Sequence, residues 1–135
     1  MQYLIDTNVV SEIMRKQPDE AVVDWFSQLE TIYMSVVTLD EIVFGLSRKH
    51  LVRKLAWFQQ FSSDKGVFLP ISETVAKWSG EKRADLACRG IVMTMADSLI
   101  AATAHENGLV LATRNIRDFE HSNIAVYNPF SANSY

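Results

Sequence analysis

Short apolar runs alternate with stretches of helical periodicity from one end of the chain to the other. That alternation restricts the possible folds more than any single motif. "QYLI" at 2–5 is an apolar run bounded by polar residues and reads as a buried strand. Asp6 follows at what looks like a helix start, with the polar pair Thr7-Asn8 behind it. After Pro18, Val22, Trp25, Phe26 and Leu29 fall at i, i+3, i+4 and i+7, one apolar stripe of a helix. "TIYMSVV" at 31–37 is β-branched and aromatic, a second strand. It runs into "TLDEIVFGLSR", where Leu39, Ile42, Val43 and Leu46 return at helical spacing. Leu51, Leu55, Phe58 and Phe61 mark the second arm of a helical hairpin. "VFLP" reads as a third strand closed by Pro70, and Ser72 as the cap of a helix carrying Val75, Ala76 and Trp78. "TMADSLIAATAHENG" is apolar nearly all round and predicts a deeply buried helix, ended by Gly108 in a left-handed cap. "LVLAT" at 109–113 and "IAVYN" at 124–128 are the last two strands, with a turn and short helix at "RNIRDF" between them.

This order predicts an α/β chain with a central, mostly parallel sheet of four or five strands covered on both faces, its crossovers right-handed. The 135 residues are expected to form one domain, 1–135, with a core that needs no disulfide. Cys88 is the only cysteine, which excludes a disulfide framework within the chain and fits a reducing compartment. Its surroundings carry no signature of a nucleophile. No secretory leader and no bilayer-length apolar run is seen, so the expectation is a soluble, cytoplasmic protein away from membranes.

In a parallel sheet, ligands sit outside the C-terminal ends of the strands. Asp6 follows the first strand there, Glu41 the second and Asp118 the fourth, while Asp97 begins the buried helix. Each has an ordinary explanation as well. Thr38-x-x-Glu41 and Thr94-x-x-Asp97 fit the capping-box pattern, and Asn115-x-x-Asp118 is close to it. Convergence is what separates the two readings. Four carboxylates in a partly buried site raise one another's pKa, a conflict that a divalent cation removes, and oxygen-only ligands suit Mg²⁺ or Mn²⁺. Such a site suits phosphodiester hydrolysis by metal-activated water. Thr7, Asn8, Thr113 and Asn115 are candidates to hold water or a phosphate oxygen, although each is also a normal turn residue. The net charge of −3 argues against a generally basic nucleic-acid surface, but with four carboxylates committed to a cation the remainder would carry +1. Basic residues gather in "RKHLVRK" at 48–54 and "EKRADLACR" at 81–89, either as solvated helix faces or as binding sites.

The segments "LIDTNVVSEIMR", "YMSVVTLDEIVFGLSR", "ADSLIAATAHENGLVLATRNIRDF" and "VYNPF" resemble, in order and spacing, the PIN-domain toxins of bacterial VapBC-type modules. The resemblance covers nearly the whole chain. It implies a three-layer α/β/α sandwich and a Mg²⁺- or Mn²⁺-dependent endoribonuclease that stops translation. The acidic quartet of that family maps onto Asp6, Glu41, Asp97 and Asp118, and its accessory polar positions onto Thr113 and Asn115, with Asn8 an addition. The resemblance also implies a homodimer, inhibition by a VapB-type antitoxin, operator DNA bound through that antitoxin, and an RNA substrate that can be transfer RNA. Two departures stand out: Asp40 precedes Glu41 where a small or neutral residue is usual, and "GIVMTMAD" lacks a proline. Asp40 either points outward or competes with Glu41.

His50, His105 and His121 lack metal-ligand spacing, and the helix dipole accounts for His105. Trp57 and Phe58 cannot both face inward, which makes 44–61 a candidate antitoxin-binding hairpin, with Arg48, Arg53 and Lys54 available to an acidic partner or RNA. Two competing functions remain open at the level of sequence. One is an aspartyl-phosphate phosphatase of the haloacid dehalogenase type, suggested by Asp6-x-Asn8 but lacking a clear lysine. The other is a PIN-fold binding subunit that acts through an antitoxin and operator DNA without nuclease activity.

Overall fold

A computed structural model describes residues 1–131 of the chain. Five strands, β1 (Tyr3–Ile5), β2 (Ile32–Ser35), β3 (Gly66–Leu69), β4 (Val110–Ala112) and β5 (Val126–Tyr127), form one sheet in the order β3-β2-β1-β4-β5. Every pairing is parallel. The helices are α1 (Thr7–Ile13), α2 (Glu20–Ser27), α3 (Val36–Arg48), α4 (Val52–Lys65), α5 (Glu73–Cys88), α6 (Met95–Glu106) and α7 (Ile116–Phe119).

Successive strand residues point to opposite faces, so each strand feeds two cores. Ile5, Ile32, Met34 and Ala112 pack with Val9, Val22, Phe26, Ile42 and Phe58 on one side. Leu4 and Leu111 pack with Ile100, Ala101, Ala104 and Phe119 on the other. The result is the three-layer α/β/α sandwich that the alternation of elements implies. Two glycines meet backbone demands. Gly108 takes φ +62 after α6, the expected left-handed stop. A Cβ on Gly66 would lie 2.8 Å from Ser62 O, so the direct passage from α4 into β3 needs a residue without one.

One boundary differs from expectation. Val36 and Val37 are helical, because Ser35 takes an extended ψ of 149° and its hydroxyl accepts from Val37 N, starting α3 directly at the end of β2. Local capping outweighs the β-preference of the valine pair. Thr38 is therefore inside the helix and is not the cap of a Thr38–Glu41 box. In the hairpin, Phe58 is buried and Trp57 is 43% exposed, so Trp57 is the aromatic that faces outward. No helix among the described residues is long and apolar enough to cross a membrane.

"VYNPF" also has a physical role. Phe130 enters the core, its N–H bonded to Asn128 Oδ1, and Ser131 Oγ donates to Asp19 Oδ2 (2.7 Å). This fastens the end of the described chain to the start of α2. The Arg114 guanidinium lies 4.8 Å from the centre of the Phe130 ring.

Candidate active site

The strand order reverses direction around β1: the chain steps outward to β2 and β3, then returns to the other side of β1 as β4. A crevice opens at the C-terminal ends of neighbouring strands at such a switch point. Asp6 ends β1 and Thr113 ends β4, held in register by Asp6 N donating to Ala112 O at 3.0 Å.

Asp6 is buried and serves as the N-cap of α1. Its Oδ1 accepts from Thr7 N (2.8 Å); its Oδ2 accepts from Thr113 Oγ1 (2.7 Å) and Asn8 Nδ2 (3.0 Å). A carboxylate has about four acceptor positions, so this side chain is oriented yet retains room for one more ligand. Thr113 is itself fully engaged, and Asn8 uses both its N–H donors and one of its two acceptor positions. Asn8 Nδ2 also reaches Thr113 Oγ1 (3.1 Å), Asn8 Oδ1 accepts from Arg114 N (2.9 Å), and Thr113 Oγ1 accepts from Asn115 N (3.0 Å). Both hold Asp6 in place, and Asn8 Oδ1 keeps one acceptor position for a further ligand. Asn115 is exposed at the rim and contributes its backbone to this network.

Glu41 reaches the same place from α3. Thr7 Oγ1 donates to Glu41 Oε1 at 2.7 Å and lies 3.3 Å from Thr38 Oγ1. Thr7 thus joins the cap of α1 to the first turns of α3. Thr38, fully buried, is the support that sequence reading misassigned; its spacing to Glu41 imitates a capping box, and only the register of α3 distinguishes the two. Asp97 lies in the first turn of α6, whose N-cap Thr94 accepts from Asp97 N at 3.1 Å. Asp118 stands exposed on α7, for which Asn115 supplies no side-chain cap bond.

Electrostatics ties the four together. Burial pushes the Asp6 carboxyl up to about 6; the Thr113 and Thr7 hydrogen bonds oppose this, and the charges of Asp97 and Glu41 add to it. Burial also raises Asp97, reinforced by the charge of Asp118, opposed by the Thr94 hydrogen bond and raised further by Glu41. Asp40, exposed on α3, is not among the charges acting on either group, in keeping with the outward alternative. Among the described residues, no three His, Cys, Asp or Glu side chains are already drawn into a metal cage. Glu41 is engaged by Thr7, and Asp97 interacts with Thr94. Suitability for a hard divalent cation therefore rests on an all-oxygen donor set whose members repel one another, not on a preformed coordination sphere.

The histidines stand apart from this chemistry: His105 stacks on Trp78 (ring centres 4.8 Å apart), and His50 occupies the α3–α4 turn at φ +55. Cys88 is exposed at the end of α5.

The PIN domain family matches residues 3–124. Toxin FitB of Neisseria gonorrhoeae is 34% identical, over 94% of this chain and 97% of its own length. VapC ribonuclease Y4jK of Sinorhizobium fredii is 32% identical, over 94% and 96%. Among solved structures, the DNA-bound VapBC of Salmonella typhimurium superposes with a TM-score of 0.85 at 28% identity, covering 96% of this chain and 98% of the other.

Proposed function

Because the chain belongs to the PIN-domain family, among toxins of the VapC type, we propose that it is the toxin of a type II toxin–antitoxin module and a Mg²⁺- or Mn²⁺-dependent endoribonuclease. The observation that carries this reading is Asp6: a carboxylate at the switch point of the sheet, oriented by three donors, its pKa raised by burial with the charges of Asp97 and Glu41 adding to it. A hydrolase that cuts a polyanion with a hard divalent cation needs anchored carboxylate ligands of this kind to hold the metal.

Asp6, Glu41, Asp97 and Asp118 would hold the cation, which would supply a water of lowered pKa and a counter-charge for the phosphate oxygens. Thr113 and Asn8 fix the Asp6 carboxylate so that little reorganisation is needed at the moment of reaction. Thr7 does the same for Glu41. Asn115, exposed beside this network, orients the substrate phosphate. Transfer RNA is the first substrate to examine. Purified protein is expected to cleave RNA with Mg²⁺ or Mn²⁺, to stop when EDTA is added, and to resume when either metal is restored in excess. Equal cleavage with and without EDTA would overturn the metal dependence.

The partner is a VapB-type antitoxin, with operator DNA bound through it. An apolar groove of about 380 Å³, lined by Ile13, Phe26, Ile32, Trp57 and Phe61, suits the apolar face of a helix from that partner. Trp57 and Phe61 stack at 5.2 Å with planes 3° apart, a rigid aromatic wall. Trp57→Ala is expected to weaken antitoxin binding by about 2 kcal/mol, roughly thirtyfold, in a titration of purified components. Unchanged affinity would move the partner to another surface. The toxin forms a homodimer, for which Val92 (94% exposed) and Met95 (57% exposed), at the entrance to α6, offer apolar surface.

A further inference from the structure

The basic run at 48–54 lies outside the carboxylate centre. It forms the turn between α3 and α4, where Leu51 N donates to Leu46 O (2.9 Å) and the chain reverses. Lys49 at the end of α3 and Lys54 in the first turn of α4 then line one depression of about 200 Å³, together with Ser11, Met14, Glu41 and Gly45. Glu41, Gly45 and Lys49 recur every four residues and so share a helix face. Neither lysine makes an ion pair among the described residues. Arg48, from the same run, is instead placed over the Phe44 ring, 5.7 Å from its centre.

Gly45 adds a second, independent observation. Glycine inside a helix is destabilising relative to alanine, yet a Cβ here would meet nothing within 4 Å. Packing does not require it. A bare backbone lining an open depression suits a ligand that approaches the helix closely.

We propose that Lys49 and Lys54 form a phosphate subsite for RNA, beside the carboxylate centre and reached along the Gly45 face of α3. This rests on the ribonuclease reading. An acidic centre repels the polyanion it must hold, and two unpaired ammonium groups in the depression shared with Glu41 supply the missing attraction. The contact is to backbone phosphate, so it adds affinity without selecting sequence.

The test is fluorescence anisotropy with a labelled, mixed-sequence oligoribonucleotide across a salt series, using Asp97→Asn protein so that binding is read without cleavage. Adding Lys49→Gln and Lys54→Gln together is expected to weaken binding roughly tenfold at low salt. It should also flatten the dependence of log K on log salt by about 0.7 per lysine. The double Lys→Arg variant should restore both. Unchanged affinity and slope in the Gln variant overturn the subsite. So does a loss of equal size in the Arg variant, which would point to shape rather than charge. RNA binding unchanged while antitoxin binding weakens would assign the lysines to an acidic partner and overturn it as well. If the wild type cleaves no RNA at all, the ribonuclease reading fails, and this binding comparison remains readable.

Discussion

Asp6→Asn is expected to lower RNA cleavage by at least about 10³-fold while raising the melting temperature of the metal-free protein. The two effects have one cause. Burial of Asp6 away from water, with the charges of Asp97 and Glu41 adding to it, pushes its carboxyl up to about 6, so the ionised form strains the fold at neutral pH. Asparagine removes that charge, keeps an acceptor for Thr7 N or Thr113 Oγ1, and loses about one hydrogen bond worth about 1 kcal/mol. A net gain of about 1–2 kcal/mol follows, or a rise of roughly 5 °C for a chain of this size. The same change removes an anionic ligand from the centre on which hydrolysis depends. Thermal melts with EDTA and cleavage assays with Mg²⁺ check the pair. Cleavage and stability falling together would mark Asp6 as a structural cap of α1. Cleavage retained by a folded variant would remove Asp6 from the centre on which hydrolysis depends, and no cleavage by the wild type would favour the binding-subunit alternative.

The second large effect is an inverted pH dependence of stability. The native state holds the Asp6 proton more tightly than the unfolded chain, whose carboxyl keeps its ordinary 3.8. The stability this contributes is fully present below about 4 and is lost as pH rises through about 6, amounting to about 3 kcal/mol between those limits. Asp97, also raised, acts in the same direction. Urea denaturation in EDTA between about pH 4 and 7 should show this decline relative to Asp6→Asn, in which the Asp6 contribution is absent. Excess Mg²⁺ should abolish the difference at neutral pH, because a bound cation favours the ionised carboxylates. A wild type whose stability rises with pH relative to Asp6→Asn would contradict the electrostatic account.

Much of the fold was legible because the alternation of strand and helix is periodic and local. The run at 2–5 identifies β1, and Leu4 and Ile5 feed opposite cores simply because they are neighbours on a strand. Gly108 marks the end of α6 for an equally local reason. The start of α3 was not legible, since Ser35 and Thr38 are both capable caps and only the end of β2 decides between them. Side-chain commitments across the sheet were hidden too. Asn8 looked like a free ligand until Thr113 and Arg114, more than a hundred residues away, engaged both ends of its amide. Lys49 did leave a signal, its four-residue spacing from Gly45 and Glu41. That spacing acquires meaning only once α4 turns back and brings Lys54 beside it.

The central claim is that carboxylates distant in sequence act as one cation site. Calorimetric titration of Mg²⁺ and Mn²⁺ into wild type, Asp6→Asn and Asp97→Asn tests it most directly. Stoichiometric binding by the wild type, lost in both variants while both remain folded, is the predicted result. Binding that survives either substitution unchanged would contradict a shared site and return Asp6 and Asp97 to the helix ends that they also occupy.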